Sequence, residues 1–370
     1  MNTRAQALGA VRRIVIKVGT GVVTRPDGRL ALGRLGALAE DIHDLIAAGY
    51  QVMVVSSGAI GLGAGRLGLD AIPVGVVDRQ ACAAAGQGAL VATWDSLLSR
   101  LGHPVAQVLL TEDDFLHRQR YINLHATLER LLEAGAVPIV NENDTVSTTE
   151  LAVARDRVFG DNDQLSALVS SGTDADLLVL LSDVNGVYTA PPGTEGAERI
   201  STWEGESVTI GTVSARGRGG MGAKISAALM AAHGGTHVVI ASGEEPGVVG
   251  RVLAGENVGT WFPAAAGLSR KRRWLAYATA PEGVIRVNEG ARTALVESSA
   301  SLLPAGIVGV TGTFAEGAVV SLATTEGPEF GRGVCALSSD SLRQVVGRTG
   351  GQRAVVHRDN VVLLRTGGDA

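Results

Sequence analysis

The sequence predicts an α/β protein: a three-layer sandwich around a mainly parallel sheet, followed by a small mostly-β domain. Three observations predict it. Up to about residue 260, short apolar runs alternate with longer helical patterns, which is how βαβ units read. The hydrophobic fraction is 45% but the aromatic fraction only 4%, so Ala, Val, Leu and Ile must build the core. That composition suits helices packed on a buried parallel sheet. Beyond the basic stretch Ser269-Arg270-Lys271-Arg272-Arg273, the pattern changes to short β-like runs separated by Gly-containing turns.

The apolar runs place strands at 13–18, 51–56, 104–109, 136–140, 176–181 and 237–241. Helical spacing places helices at 31–48, 77–101, 121–133, 162–170, 223–233 and 246–254. Gly49, Gly102, Gly135, Gly172 and Gly234 close several of these in the position expected for a left-handed C-cap. Past residue 280, strands are expected at 283–287, 306–310, 319–323, 334–337, 354–357 and 361–364, with short helices at 290–297 and 339–347. In parallel sheets ligands bind beyond the carboxyl ends of the strands, so the turns after each strand are where chemistry should sit.

The bulk numbers exclude several classes. A net charge of −5 gives no general attraction to nucleic acid or anionic membrane. No apolar run reaches the ~20 residues that span a bilayer, and residues 1–13 lack the apolar core of a signal peptide. Cys82 and Cys335 lie far apart and outside any metal spacing, as expected of small apolar residues in a reducing compartment. A cytoplasmic protein is the expectation. The seven histidines show neither ligand spacing nor a Ser–His–Asp order.

Only three of the 32 basic residues are lysine. Where generic positive charge suffices this chain uses Arg, so each Lys marks a place where a guanidinium does not serve. Lys17 ends an apolar run and meets the turn Gly19-Thr20-Gly21. Lys224 closes the loop Gly217-Arg218-Gly219-Gly220-Met221-Gly222-Ala223. A compact ammonium beside a Gly-rich turn suits a phosphate chain, because backbone N–H groups can approach it and Lys adds a point charge. Lys271 lies in the basic stretch and reads as solvated linker.

Other strand ends carry further polar groups. Ser56-Ser57-Gly58 offers two hydroxyls and a Gly N–H to an anion, although an ordinary Gly-rich βα turn has the same letters. Asn141-Glu142-Asn143-Asp144 fits recognition of an amine or hydroxyl, or a turn cluster. Gly160-Asp161-Asn162-Asp163 opens a helix with more carboxylates than a cap requires. Ser182-Asp183-Val184-Asn185-Gly186 follows the fifth strand and also fits a plain hairpin. Gly217, Gly219 and Gly222 satisfy G-x-G-x-x-G by letter, but no convincing strand precedes them, so a dinucleotide fingerprint is rejected. The P-loop pattern fails because Ala223 separates Gly222 from Lys224, and the protein-kinase motifs are missing.

Six runs in order carry a family resemblance. They are Val15-Ile16-Lys17-Val18-Gly19-Thr20, Ser56-Ser57-Gly58-Ala59-Ile60, Asn141-Glu142-Asn143-Asp144, Gly160-Asp161-Asn162-Asp163-Gln164-Leu165-Ser166-Ala167, Leu181-Ser182-Asp183-Val184-Asn185-Gly186-Val187-Tyr188 and Gly219-Gly220-Met221-Gly222-Ala223-Lys224. Together they closely resemble the amino acid kinase family, and within it the members that phosphorylate glutamate. The C-terminal part, including Val355-Val356-His357-Arg358-Asp359, is similar to a PUA domain. The resemblance implies a kinase domain over 1–268, a basic linker over 269–279 and a PUA-like domain over 280–362.

It further implies transfer of the γ-phosphoryl group of ATP, with Mg²⁺, to the side-chain carboxylate of L-glutamate, as the first step of proline synthesis. By motif match, Lys17 and Lys224 would stabilise the transferring group and Asp163 would hold both lysines. Ser57, Asp144 and Asn162 would bind glutamate, with Gly58 and Asn141 assisting. Lys17, Ser182, Asp183, Arg218, Gly219, Gly220, Met221, Gly222, Ala223 and Lys224 would bind ATP. Proline as feedback inhibitor and a homo-oligomer, dimer or tetramer, are part of the same implication. Ser182 stands where Thr is usual in the family, and Gly222-Ala223 replaces a pair that carries a hydroxyl. No metal ligand follows from the sequence.

Two alternatives stay open at this point. A relative acting on acetylglutamate, aspartate, carbamate or a nucleoside monophosphate would share the phosphate lysines. It would have less need of the acidic set around Asp144 and Asp163, which suits a free α-amino group. An RNA-binding protein is the other, prompted by the PUA-like tail and Arg270–Arg273, against which stand the weak charge and the lack of an aromatic platform.

Overall fold

The computed structural model describes residues 3–25, 28–146, 162–205, 220–265, 281–348 and 354–364. The chain divides into two units, Met1–Gly267 and Leu268–Ala370. The 269–279 linker, Lys271 included, lies outside the described residues.

The first unit runs α1 (Thr3–Leu8), β1 (Arg13–Val18), α2 (Thr20–Val23), α3 (Leu32–Ala47), β2 (Gln51–Ser56), α4 (Ala59–Arg66), α5 (Val76–Leu98), β3 (Val105–Leu110), α6 (Glu112–Leu116), α7 (Arg118–Glu133), β4 (Val137–Glu142), α8 (Asn162–Gly172), β5 (Leu177–Ser182), α9 (Met221–His233), β6 (His237–Ser242), α10 (Val248–Leu253) and β7 (Thr260–Phe262). The strands form one sheet in the order β3-β4-β2-β1-β5-β6-β7. Every pairing is parallel except β6 with β7.

Central strands are apolar along their whole length because helices cover both faces; β5 is buried at every position. Ile14, Ile16, Val52, Val54, Ile139, Leu177 and Val179 share one cluster with Leu35 and Ile42 of α3 and Leu90, Trp94 and Leu98 of α5. Side chains alternate along a strand, so Val15 and Lys17 face the other way, where α8 packs on β1 and β5. The first part of the chain fills one side of β1 and the second part the other. The switch point between β1 and β5 is where such sheets open a crevice for ligands.

Helices α4 and α5 approach unusually closely, and glycine is the reason. A methyl group at Gly63 would overlap the Cys82 carbonyl oxygen, and one at Gly86 would overlap the Ala59 carbonyl oxygen. The obstacle in both cases is main chain, which cannot step aside. Gly86→Ala is therefore expected to lower unfolding free energy by about 3 kcal/mol, the upper end for overpacking, read as a lower urea midpoint.

Three of the five expected C-cap glycines are left-handed: Gly49 at φ 91, Gly102 at φ 87 and Gly135 at φ 73. The other two are corrected. Gly172 is the last residue of α8, and Asp174 takes the positive φ of 51. Gly234 is αR at φ −71, and Gly235 turns the chain at φ 94. Both helices reach their turn one or two residues later than the glycine suggests.

The second unit contains β8 (Gly283–Val287), α11 (Glu289–Glu297), β9 (Ile307–Gly312), β10 (Val319–Thr324), β11 (Glu329–Cys335), α12 (Ser339–Arg343) and β12 (Val356–Leu363). The sheet order is β12-β11-β10-β8-β9. Its core gathers Ile285, Val287, Leu295, Phe314, Val320, Leu322, Phe330, Leu342 and Val356. The expected strands at 354–357 and 361–364 are one strand. Its register with β11 breaks between Gly333 and Cys335, so the exposed residues His357, Arg358 and Asp359 bulge without ending it. The strand expected at 334–337 is instead the end of β11. Among the described residues, no helix is long and apolar enough to cross a membrane.

Candidate active site

The carboxyl ends of β1, β2, β4 and β5 meet the start of α8, and most of the polar residues singled out above lie there. Lys17 is the last-but-one residue of β1 and is 5% exposed. Its Nζ lies 2.5 Å from Asp163 Oδ1. Lys224, in the first turn of α9, places its Nζ 3.1 Å from Asp163 Oδ2. Two ammonium groups from sequence positions over 200 apart thus share one carboxylate that is 1% exposed. Burial alone pushes the Asp163 carboxyl up, but the charges of Lys17 and Lys224 outweigh it and hold the group below the usual carboxylate range. Lys17 and Lys224 thus bring two ammonium groups to one buried carboxylate, a placement of positive charge that suits an anionic ligand.

Asn162, the residue before Asp163, opens a second network. Its Nδ2 donates to Ser57 Oγ at 2.8 Å and to Asn141 Oδ1 at 3.0 Å. The Glu142 backbone N–H also donates to Asn141 Oδ1, at 2.9 Å. Asn141 Nδ2 in turn donates to Gln87 Oε1 at 2.8 Å. Since Ser57 Oγ is an acceptor here, its own hydrogen remains for a ligand. The Ser57 turn is fastened to β1 by its backbone N–H, which donates to the Val18 carbonyl at 3.1 Å. Behind it the buried indole of Trp94 donates Nε1–H to Ser56 Oγ at 3.1 Å. Gly58 follows at φ 107 and caps α4. Only glycine adopts that conformation freely.

Ser182 ends β5 and donates its hydroxyl to Asp183 Oδ1 at 2.9 Å. Asp183 is exposed and lies over the start of α2, where a methyl on Gly21 would come 3.7 Å from its carboxyl carbon. Gly220 caps α9, whose first turn is Met221, Gly222, Ala223 and Lys224. Asp144 is half-buried in the turn after β4, at the same strand end as Asn141. It takes no part in the Asn162–Asn141–Gln87 bonds just described. Asp161, Arg218 and Gly219 lie outside the described residues.

A model of the amino acid kinase family matches residues 12–242, and one of the PUA domain matches 283–353. The chain belongs to the amino acid kinase family. Glutamate 5-kinase of Synechococcus sp. (strain JA-3-3Ab) is 44% identical over 371 residues, covering 95% of this chain and 98% of its own. Glutamate 5-kinase of Myxococcus xanthus (strain DK1622) is 44% identical over 381 residues, covering 98% and 99%. Among solved structures, UMP kinase from Bacillus anthracis aligns with 70% of this chain and 98% of its own, at 18% identity and a TM-score of 0.46.

The residues of this amino acid kinase that sequence reasoning missed are Gln87 and Trp94. Neither belongs to a motif. The only signal for Gln87 is that one polar side chain stands between Gly86 and Gly88 in a helix of small apolar residues.

Proposed function

We propose that the site transfers the γ-phosphoryl group of ATP to the side-chain carboxylate of L-glutamate, giving L-glutamyl 5-phosphate, the first step of proline biosynthesis. The sharing of Asp163 by Lys17 and Lys224 supports phosphoryl transfer, and the 44% identity to glutamate 5-kinases over nearly the whole chain supports glutamate as the acceptor. The acceptor needs no general base, because a glutamate side chain with a pKa of about 4.3 is already ionised at neutral pH. The obstacle is like-charge repulsion between that carboxylate and the phosphates. Positioning and charge neutralisation are therefore the chemistry required.

In this reading Lys17 and Lys224 neutralise the migrating group from two sides, and Asp163 fixes where both ammonium groups stand. Ser57 donates its free hydroxyl hydrogen to glutamate, and Asn162, Asn141, Gly58 and Asp144 complete the acceptor site. Ser182, Asp183, Arg218 and 219–223 hold ATP, with backbone N–H groups at the start of α9 facing the phosphates.

The donor set fits an anionic nucleotide, since Lys17 and Lys224 bring two ammonium groups together at Asp163. In this reading Mg²⁺ arrives on ATP and keeps several waters; among the described residues no group of three or more His, Cys, Asp or Glu is placed to hold a metal. When bound, it supplies further positive charge to the phosphate oxygens. Feedback inhibition by proline, a dimeric or tetrameric assembly and a cytoplasmic location belong to the same reading.

The test is incubation with L-glutamate, ATP and Mg²⁺, trapping the acyl phosphate as hydroxamate and measuring ADP release. Hydroxamate formation and ADP release with glutamate, and no ADP release with acetylglutamate, aspartate or UMP, is the expected result. ADP release with acetylglutamate but not glutamate would refute it.

A further inference from the structure

Gln87 follows Gly86, one of the two places where α4 and α5 meet at main-chain distance, and the direction of its hydrogen bond is forced. Asn141 Oδ1 accepts from the Glu142 backbone N–H and from Asn162 Nδ2. Asn141 can therefore present only its NH₂ to Gln87. Gln87 answers with Oε1, and its Nε2 turns elsewhere. The residue is 9% exposed, and Nε2 is buried with no hydrogen-bond partner. Asn162 Oδ1 is in the same condition, since both Nδ2 hydrogens of Asn162 are engaged by Ser57 and Asn141. A backbone N–H thus sets the polarity of the whole relay. One donor and one acceptor are left unmatched along the relay that ends at the Ser57 hydroxyl. An α-amino acid brings what each lacks, carboxylate oxygens for the donor and an ammonium for the acceptor.

We propose that Gln87 Nε2 donates a hydrogen bond to a carboxylate oxygen of the amino-acid substrate, which makes Gln87 a substrate-binding residue. This rests on the glutamate reading above. The amide is planar, so with Oε1 held by Asn141 the Nε2 hydrogens point away from Asn141, and the soft terminal torsion allows only a slight rocking that keeps that bond. A neutral donor also recognises the carboxylate without neutralising it.

Gln87→Glu keeps the shape and an oxygen for Asn141 but removes the donor and sets a negative charge against the substrate. The expected result is a glutamate KM raised at least ~10-fold with the ATP KM within about twofold of the parent. Gln87→Met, similar in shape but without either polar atom, should raise the glutamate KM as well. If Gln87 only packs against Asn141, Gln87→Glu keeps the parental glutamate KM, and that outcome overturns the proposal. Should Gln87→Glu not fold, Gln87→Met decides, and an unchanged glutamate KM overturns it again. Failure of the parent protein itself to turn over glutamate would instead bring down the functional reading, and this inference with it.

Discussion

Lys224→Ala is expected to lower kcat by at least ~100-fold while the protein stays folded. A preorganised charge aimed at a developing anion is worth on the order of 10²–10³ in rate, and Lys224 is one of two such charges around Asp163. The fold should survive because Asp163 keeps the other. Breaking a buried pair is severe when it strands a charge, but Lys17 remains 2.5 Å from Oδ1. Single-turnover phosphorylation of glutamate, beside far-UV circular dichroism and a thermal unfolding curve, separates the two effects. Near-normal turnover in a folded variant would remove Lys224 from the chemistry. Loss of activity together with loss of fold would mark it as a structural counterion.

Much of this arrangement is legible in the sequence, and the reasons differ by residue. The six parallel strands read directly because most of each is an apolar run, longest in the central strands whose two faces are covered, whereas β3 carries the exposed Gln107. Lys17 reads as exceptional because it interrupts such a run. Asp163 is harder. Its position at a helix start resembles a cap, and only the arrival of α9 beside α8 turns it into the partner of two lysines. Gln87 is hidden for a different reason. Its bond spans 54 residues to Asn141, and nothing local to α5 records that. The close crossing of α4 and α5 depends on Gly63 and Gly86 meeting backbone, which a helical pattern cannot reveal. Strand β7 has three residues, too few for a period, and it exists because β6 offers an open edge. In the second unit, a bulge in β12 mimics a turn in the sequence because both expose consecutive polar residues.

Lys17→Arg is expected to lose activity nearly as completely as Lys17→Ala, by about 100-fold or more. The charge is unchanged, so any loss must come from shape. The lysine at this position is 5% exposed and ends against Asp163, with the Gly19 turn close behind. A methyl at Gly19 would lie 3.7 Å from Lys17 Nζ and 3.1 Å from the Leu181 carbonyl oxygen, so even one carbon is tight there. A guanidinium is a wide planar fork that favours a two-pronged contact with a carboxylate. In this space it would close on Asp163 and turn its remaining N–H groups away from the point a phosphoryl group must occupy. An ammonium has no preferred plane and can face the carboxylate and a phosphate oxygen together. The measurement is kcat and the ATP KM for Lys17→Arg at matched thermal stability. Full activity in that variant would show that positive charge alone suffices at position 17. The rarity of lysine in a chain rich in arginine would then carry no information about its chemistry.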